Sequence, residues 1–166
     1  MRGSKDPNTI AITVLRIVVG LFFTIFGEYK VFGTAFTLHG GFQTYIKGFL
    51  EGGTYPFMRP LLRGILAHFG TPMAFAVAYG EFLIGVSLLI GVWSRIASVF
   101  GFALMMAMWL SGGHPGSHAV FWMYWGASLN WSIFALCFLV LAFGRPEELW
   151  SFRRPGSRFC SQRLLQ

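Results

Sequence analysis

Four long apolar segments organise this sequence, and each approaches the length of about 20 residues that a helix needs to cross a bilayer. The segments are residues 10–32, 72–92, 96–110 and 127–143. Gly144, Arg145 and Pro146 follow the last segment and form a strong helix stop. The pattern predicts an all-α integral membrane protein that folds as a four-helix bundle.

Shorter segments predict how the four helices connect. Residues 93–95 alone separate the second apolar segment from the third, so these two helices should form an antiparallel hairpin. The loop at residues 34–71 is too long to be structureless in a compact protein. Within it, apolar residues recur at helical spacing over 42–50 and 58–69. We expect both segments to be short amphipathic helices that lie in the outer membrane interface.

Composition agrees with a membrane location. The chain of 166 residues is 55% hydrophobic and 11% charged, with a mean hydropathy of +0.60, whereas soluble domains carry about 25% charged residues. A soluble protein of this composition would expose large apolar patches, which aggregate. The net charge of +7 is not accompanied by any nucleic-acid recognition motif, which argues against nucleic acid as a partner.

The distribution of lysine and arginine predicts the orientation of the helices. In the flanks of the four segments, eight basic residues lie on the side of the two termini and four lie on the other side. Cytoplasmic flanks are the more basic ones, so both termini should be cytoplasmic. We therefore divide the chain into a cytoplasmic leader at 1–9, a transmembrane domain at 10–145 and a basic cytoplasmic tail at 146–166.

Two charged residues lie inside the apolar segments. Arg16 belongs to the first segment and Glu81 to the second, at positions where charges are costly and seldom face lipid. Each shares a helical face with small residues that permit close packing of helices. We expect Arg16 and Glu81 to pair inside the bundle. The pair is either a structural ion pair or part of a polar pocket that holds a quinone or another small amphiphile.

Other polar residues are weaker candidates. Glu28 falls close to the inward face of the first helix and is a candidate for the outer mouth of the bundle, whereas Lys30 is expected to extend its ammonium to the interface. Asn130 is a further polar residue of the predicted interior, and an interhelical hydrogen bond is its expected role. His114 and His118 are candidate metal ligands, but the Pro-Gly between them prevents a regular helical pair. No catalytic or nucleotide-binding motif is present.

Two stretches of the chain resemble the DoxX family of small four-helix membrane proteins. The first contains Leu15 to Phe23, then Gly27, Lys30 and Phe32-Gly33. The second and stronger stretch contains Gly70-Thr71-Pro72, Glu81 through Gly85, Gly91 and Ser94-Arg95-Ile96-Ala97. The resemblance covers roughly residues 10–110. The chain departs from the family at Phe26, where a histidine is frequent, so any redox role of that histidine does not transfer.

The resemblance implies a location in the bacterial inner membrane and an association with membrane-bound oxidoreductases, with a quinone as the implied cofactor. The residues alone also allow a non-catalytic accessory subunit of a larger respiratory or photosynthetic complex. A small transporter is less favoured, because the chain lacks the internal repeat that is typical of transporters. The expected partners are membrane lipids and either other membrane subunits or further copies of the chain. Whether the chain is itself an enzyme is left open at this point.

Overall fold

The computed structural model describes residues 7–126 and 128–144, and every regular element in them is a helix. The helices are α1 (Pro7–Phe32), α2 (Gly41–Gly52), α3 (Arg59–His68), α4 (Gly70–Ile90), α5 (Ser94–Gly112), α6 (Met123–Gly126) and α7 (Leu129–Phe143). Most of the predicted leader and the whole predicted tail lie outside the described residues.

The lengths of the apolar helices confirm a membrane protein. Within the described residues, α1, α4 and α5 are long and apolar enough to cross a bilayer, and they correspond to the first three predicted segments. The fourth predicted segment is helical from Leu129 onward, so α7 has only 15 residues. At 1.5 Å per residue it is about 23 Å long, shorter than a hydrocarbon core of about 30 Å. That α7 crosses the membrane therefore stays a prediction.

Glycines let α1 and α4 pack closely along their length. A Cβ atom added at Gly27 would lie 2.5 Å from the Cα atom of Phe82, and one added at Gly20 would lie 3.0 Å from the Cβ atom of Leu88. A larger residue at either position would push the helices apart, as expected where small residues line a membrane helix interface. The contacts show that the helices are antiparallel, with Gly20 level with Leu88 and Gly27 level with Phe82.

A second close pair is formed by α5 and α7. Gly101 of α5 leaves the space that the ring of Phe138 of α7 occupies. The two pairs meet in one apolar core to which α1, α4, α5 and α7 all contribute. Its buried residues are Val19, Phe23, Ile84, Leu88, Ala97, Met105, Ala135, Phe138 and Leu141. The core thus joins α1 with α4 on one side to α5 with α7 on the other.

A tight turn connects α4 to α5, as the sequence predicted. Gly91 ends α4 with a φ of 77°, and Trp93 precedes α5 with a φ of 53°. Trp93 is the one non-glycine residue with positive φ in the described part of the chain. We call the end of the bundle that carries this turn the turn end, and the opposite end, where α2 and α3 lie, the loop end.

At the loop end, α2 and α3 form a cap. Phe42, Ile46 and Phe49 of α2 pack against Leu62 of α3 and Ala74 of α4. The predicted helices at 42–50 and 58–69 are confirmed as helices by α2 and α3, and their location in the membrane interface stays a prediction.

Candidate functional site

An ion pair joins α1 to α4 in the interior of the bundle. The Nζ atom of Lys30 lies 2.6 Å from Oε2 and 2.8 Å from Oε1 of Glu81, so the ammonium donates to both carboxylate oxygens. The side chain of Glu81 is 6% exposed and that of Lys30 is 21% exposed. Glu81 lies eleven residues after Gly70, about 16 Å along α4. A charge at such a depth needs a partner, and Lys30 supplies it.

The predicted pair between Arg16 and Glu81 is wrong, because the two helices are staggered. Gly27 is level with Phe82, which is the neighbour of Glu81 in sequence. Arg16 lies eleven residues before Gly27, about 17 Å away along α1. That separation is beyond the reach of the two side chains. Arg16 is buried, with 0% exposure, in the part of α1 nearer the turn end.

Two aromatic residues interact with the ion pair, one by direct contact and one electrostatically. The Nζ atom of Lys30 lies 5.0 Å from the ring centroid of Phe36, within the range of a cation–π contact. Tyr45 belongs to α2, in the cap. The residue is 41% exposed. Partial burial, and to a smaller extent the negative charge of Glu81, raise the pKa of the Tyr45 phenol above its ordinary value. The phenol is therefore neutral at physiological pH and keeps its O–H as a hydrogen-bond donor.

Glu28 and Asn130 lie outside this arrangement. Glu28 is exposed on α1, although it is only two positions from Lys30. Asn130 is exposed at the start of α7, and no hydrogen bond to its side chain occurs within residues 7–126 and 128–144. The structure therefore brings neither residue to the Lys30–Glu81 pair, and their functional roles stay predictions.

The two candidate metal-ligand histidines occupy different environments. The Nδ1 atom of His114 accepts a hydrogen bond of 3.1 Å from the backbone N–H of Gly116. The ring of His114 packs edge-on against Tyr55 and Tyr124, whereas His118 is exposed. In the portion of the chain that the structure describes, no group of three or more histidine, cysteine, aspartate or glutamate residues could hold a metal ion.

The role of Lys30 as the partner of Glu81 is not apparent from the sequence pattern. A lysine in the last turn of an apolar helix is the usual sign of an ammonium that reaches the membrane surface, and we expected this of Lys30. Its true partner lies 51 positions away on α4. A signal that could have found it is the helical face, since Lys30 lies three residues after Gly27 on the side of α1 that packs against α4.

Comparison with known proteins identifies a matching protein family. A family model described as DoxX matches residues 11–114. The matched range contains α1 from residue 11 onward and the whole of α2 to α5, and with them Lys30, Glu81, Phe36 and Tyr45. Neither the curated proteins nor the solved structures gave a match.

Proposed function

The chain belongs to the DoxX family, and from this premise we propose that it is a membrane subunit associated with an oxidoreductase, in which the Lys30–Glu81 pair binds a quinone. The observation that carries the proposal is the position of this pair in the interior of the bundle, with the Lys30 side chain still 21% exposed. Ionisable groups at membrane depth are costly to maintain and mark ligand or ion sites more often than surface charges do.

The residues around the pair fit the head of a quinone. A quinone ring carries two carbonyl acceptors. Lys30 of α1 provides a cationic donor, and Tyr45 of α2, which feels the charge of Glu81, provides a neutral one. Phe36 offers an aromatic face beside the ammonium. Glu81 would hold Lys30 charged and oriented. The quinone, when bound, would supply reversible transfer of two electrons and two protons.

Direct binding tests this proposal. We would titrate the purified protein in detergent with a short-tailed quinone and follow the intrinsic tryptophan fluorescence. Wild type should bind saturably, and Lys30→Met should weaken binding at least tenfold because it removes the charged donor. Lys30→Arg retains a cationic donor and should recover part of the affinity. Glu28→Gln is the matched control, since Glu28 is exposed on the same helix, and it should bind like wild type.

Two outcomes would contradict the quinone site. One is a wild-type protein that does not bind quinone at all, and the other is equal affinity in wild type and Lys30→Met. Co-purification from native membranes then addresses the alternative. If cofactor-bearing subunits accompany a chain that binds no quinone, the accessory function is the better explanation.

A further inference from the structure

An apolar groove of about 660 Å³ runs between α4 and α5. Its floor includes the buried residues Ile84 and Ala97, and its edges include the exposed residues Leu83, Ile96 and Phe100. The groove forms because α4 packs mainly on α1 and α5 packs mainly on α7, so the two helices diverge after their short connection. Because its edges are exposed, the groove is open to the surrounding lipid.

The groove is long enough to receive a lipid chain. On α4 its lining runs from Met73 to Ile90, which is about 26 Å at 1.5 Å per residue. This exceeds the thickness of one leaflet of the hydrocarbon core, about 15 Å. At one end the lining continues through Val92, Trp93 and Ile96. The groove therefore reaches the turn end of the bundle, where α5 begins.

The start of α5 is electropositive for two independent reasons. Its N-cap residue, Trp93, makes no side-chain capping bond, so the first N–H groups of this 19-residue helix face the turn end with the positive end of the helix dipole. Arg95 adds a full charge. It is exposed, and one guanidinium nitrogen, Nη2, donates to the carbonyl oxygen of Gly144 at 3.2 Å. Both features attract an anion.

No acidic side chain in the described part of the chain opposes this positive charge. The acidic residues in the described part of the chain belong to the last turns of α1, to α2 and to the middle of α4, and none lies in the α4–α5 turn.

We propose that the turn end binds one phospholipid with an anionic headgroup. Its phosphate lies at the start of α5, held by Arg95 and the first N–H groups of the helix. One acyl chain lies in the α4–α5 groove. Trp93, 67% exposed, lies at the level of the headgroup, where tryptophan is enriched in membrane proteins. This inference is independent of the quinone proposal and uses none of its residues.

Lipid titration monitored by native mass spectrometry tests the headgroup site. The probes are phosphatidylglycerol and phosphatidylcholine with the same 18-carbon chains. Wild type should retain phosphatidylglycerol more strongly, and Arg95→Gln should lower that affinity about fivefold, the contribution typical of one basic residue near a membrane surface. Arg95→Lys should recover most of it. Arg63→Gln removes an exposed arginine of α3, at the loop end, and is the matched control that should bind like wild type.

Chain length tests the groove separately. Phosphatidylglycerol with 8-carbon chains should bind several-fold more weakly than the 18-carbon lipid, and free glycerol phosphate should bind far more weakly still. Equal affinities would mean that the groove takes no part. The proposal is also overturned if wild type retains the two 18-carbon lipids equally, or if Arg95→Gln binds like wild type. Rapid disulfide crosslinking of Phe100→Cys to a second copy would instead identify the groove as a protein interface.

Discussion

Lys30 and Glu81 are each a poor residue for a membrane interior, and their pairing removes most of that penalty. The two hydrogen bonds between them are charge-assisted and shorter than about 2.9 Å. Lys30 also lies in the last turn of α1, where the negative end of the helix dipole favours a cation. Removing either residue therefore leaves the other as an uncompensated charge in the interior, which destabilises the protein.

We predict strong coupling between substitutions at the two positions. Lys30→Met and Glu81→Gln should each lower the free energy of unfolding by about 1–3 kcal/mol, less than for a fully buried pair because Lys30 is partly exposed. The double variant should lose less than the sum, by about 0.5–3 kcal/mol. Thermal or denaturant unfolding in detergent measures the cycle.

The same measurement provides two controls. Glu28→Gln, an exposed change on α1, should shift stability by no more than about 0.5 kcal/mol. A cycle between Arg16→Leu and Glu81→Gln should be additive, because the stagger of the helices keeps these residues apart. Additive losses for Lys30 and Glu81 would contradict the ion pair.

At the level of helices, two glycines of α4 have different surroundings. A Cβ atom at Gly85 would collide with Thr24 of α1, whereas a Cβ atom at Gly80 would meet no other atom within 4 Å. Gly85 therefore permits the contact between α1 and α4, and Gly80 lines the open α4–α5 groove. Both glycines lie in the same helix five positions apart, so they form a natural matched pair.

Alanine substitution should separate the two glycines. Gly85→Ala should destabilise the protein by about 1–3 kcal/mol, because the backbone of α1 must move to accommodate the methyl group. Gly80→Ala should cost nothing measurable, since it fills open space and improves helix propensity. Thermal unfolding followed by circular dichroism compares them. Equal losses at the two positions would show that Gly80 also packs against protein.

At the scale of the whole molecule, the basic residues are distributed unequally between the two ends of the bundle. The turn end carries Arg95, and the sequence adds five arginines and two glutamates after residue 144, outside the described residues. Four basic residues belong to the other side in the sequence-based count. This asymmetry predicts that the turn end and both termini face the cytoplasm.

Labelling with a membrane-impermeant maleimide tests the orientation. In a background that lacks Cys137 and Cys160, we expect His118→Cys to react in intact cells, because His118 is exposed in the segment between α5 and α7. Arg95→Cys should react only after the membrane is permeabilised. Labelling of Arg95→Cys, but not of His118→Cys, in intact cells would reverse the topology.

The sequence by itself determined the class of the protein and the positions of its helices. Apolar runs of about 20 residues leave few alternatives to membrane helices, because every backbone polar group must be satisfied inside the bilayer. The helical periodicity of the cap and the tight α4–α5 turn are equally local features, and both were predicted correctly. They depend on residues that are close in the chain.

Only the tertiary structure decided which charges meet. The sequence marked Glu81 as a buried charge, but the choice between Arg16 and Lys30 depends on how far α1 slides along α4. That stagger is set by where Gly20 and Gly27 meet Leu88 and Phe82, and a shift of a few residues moves a side chain by several ångströms. The α4–α5 groove was hidden for the same reason, because it arises from which helices pack in pairs, a property of the whole bundle rather than of any one segment.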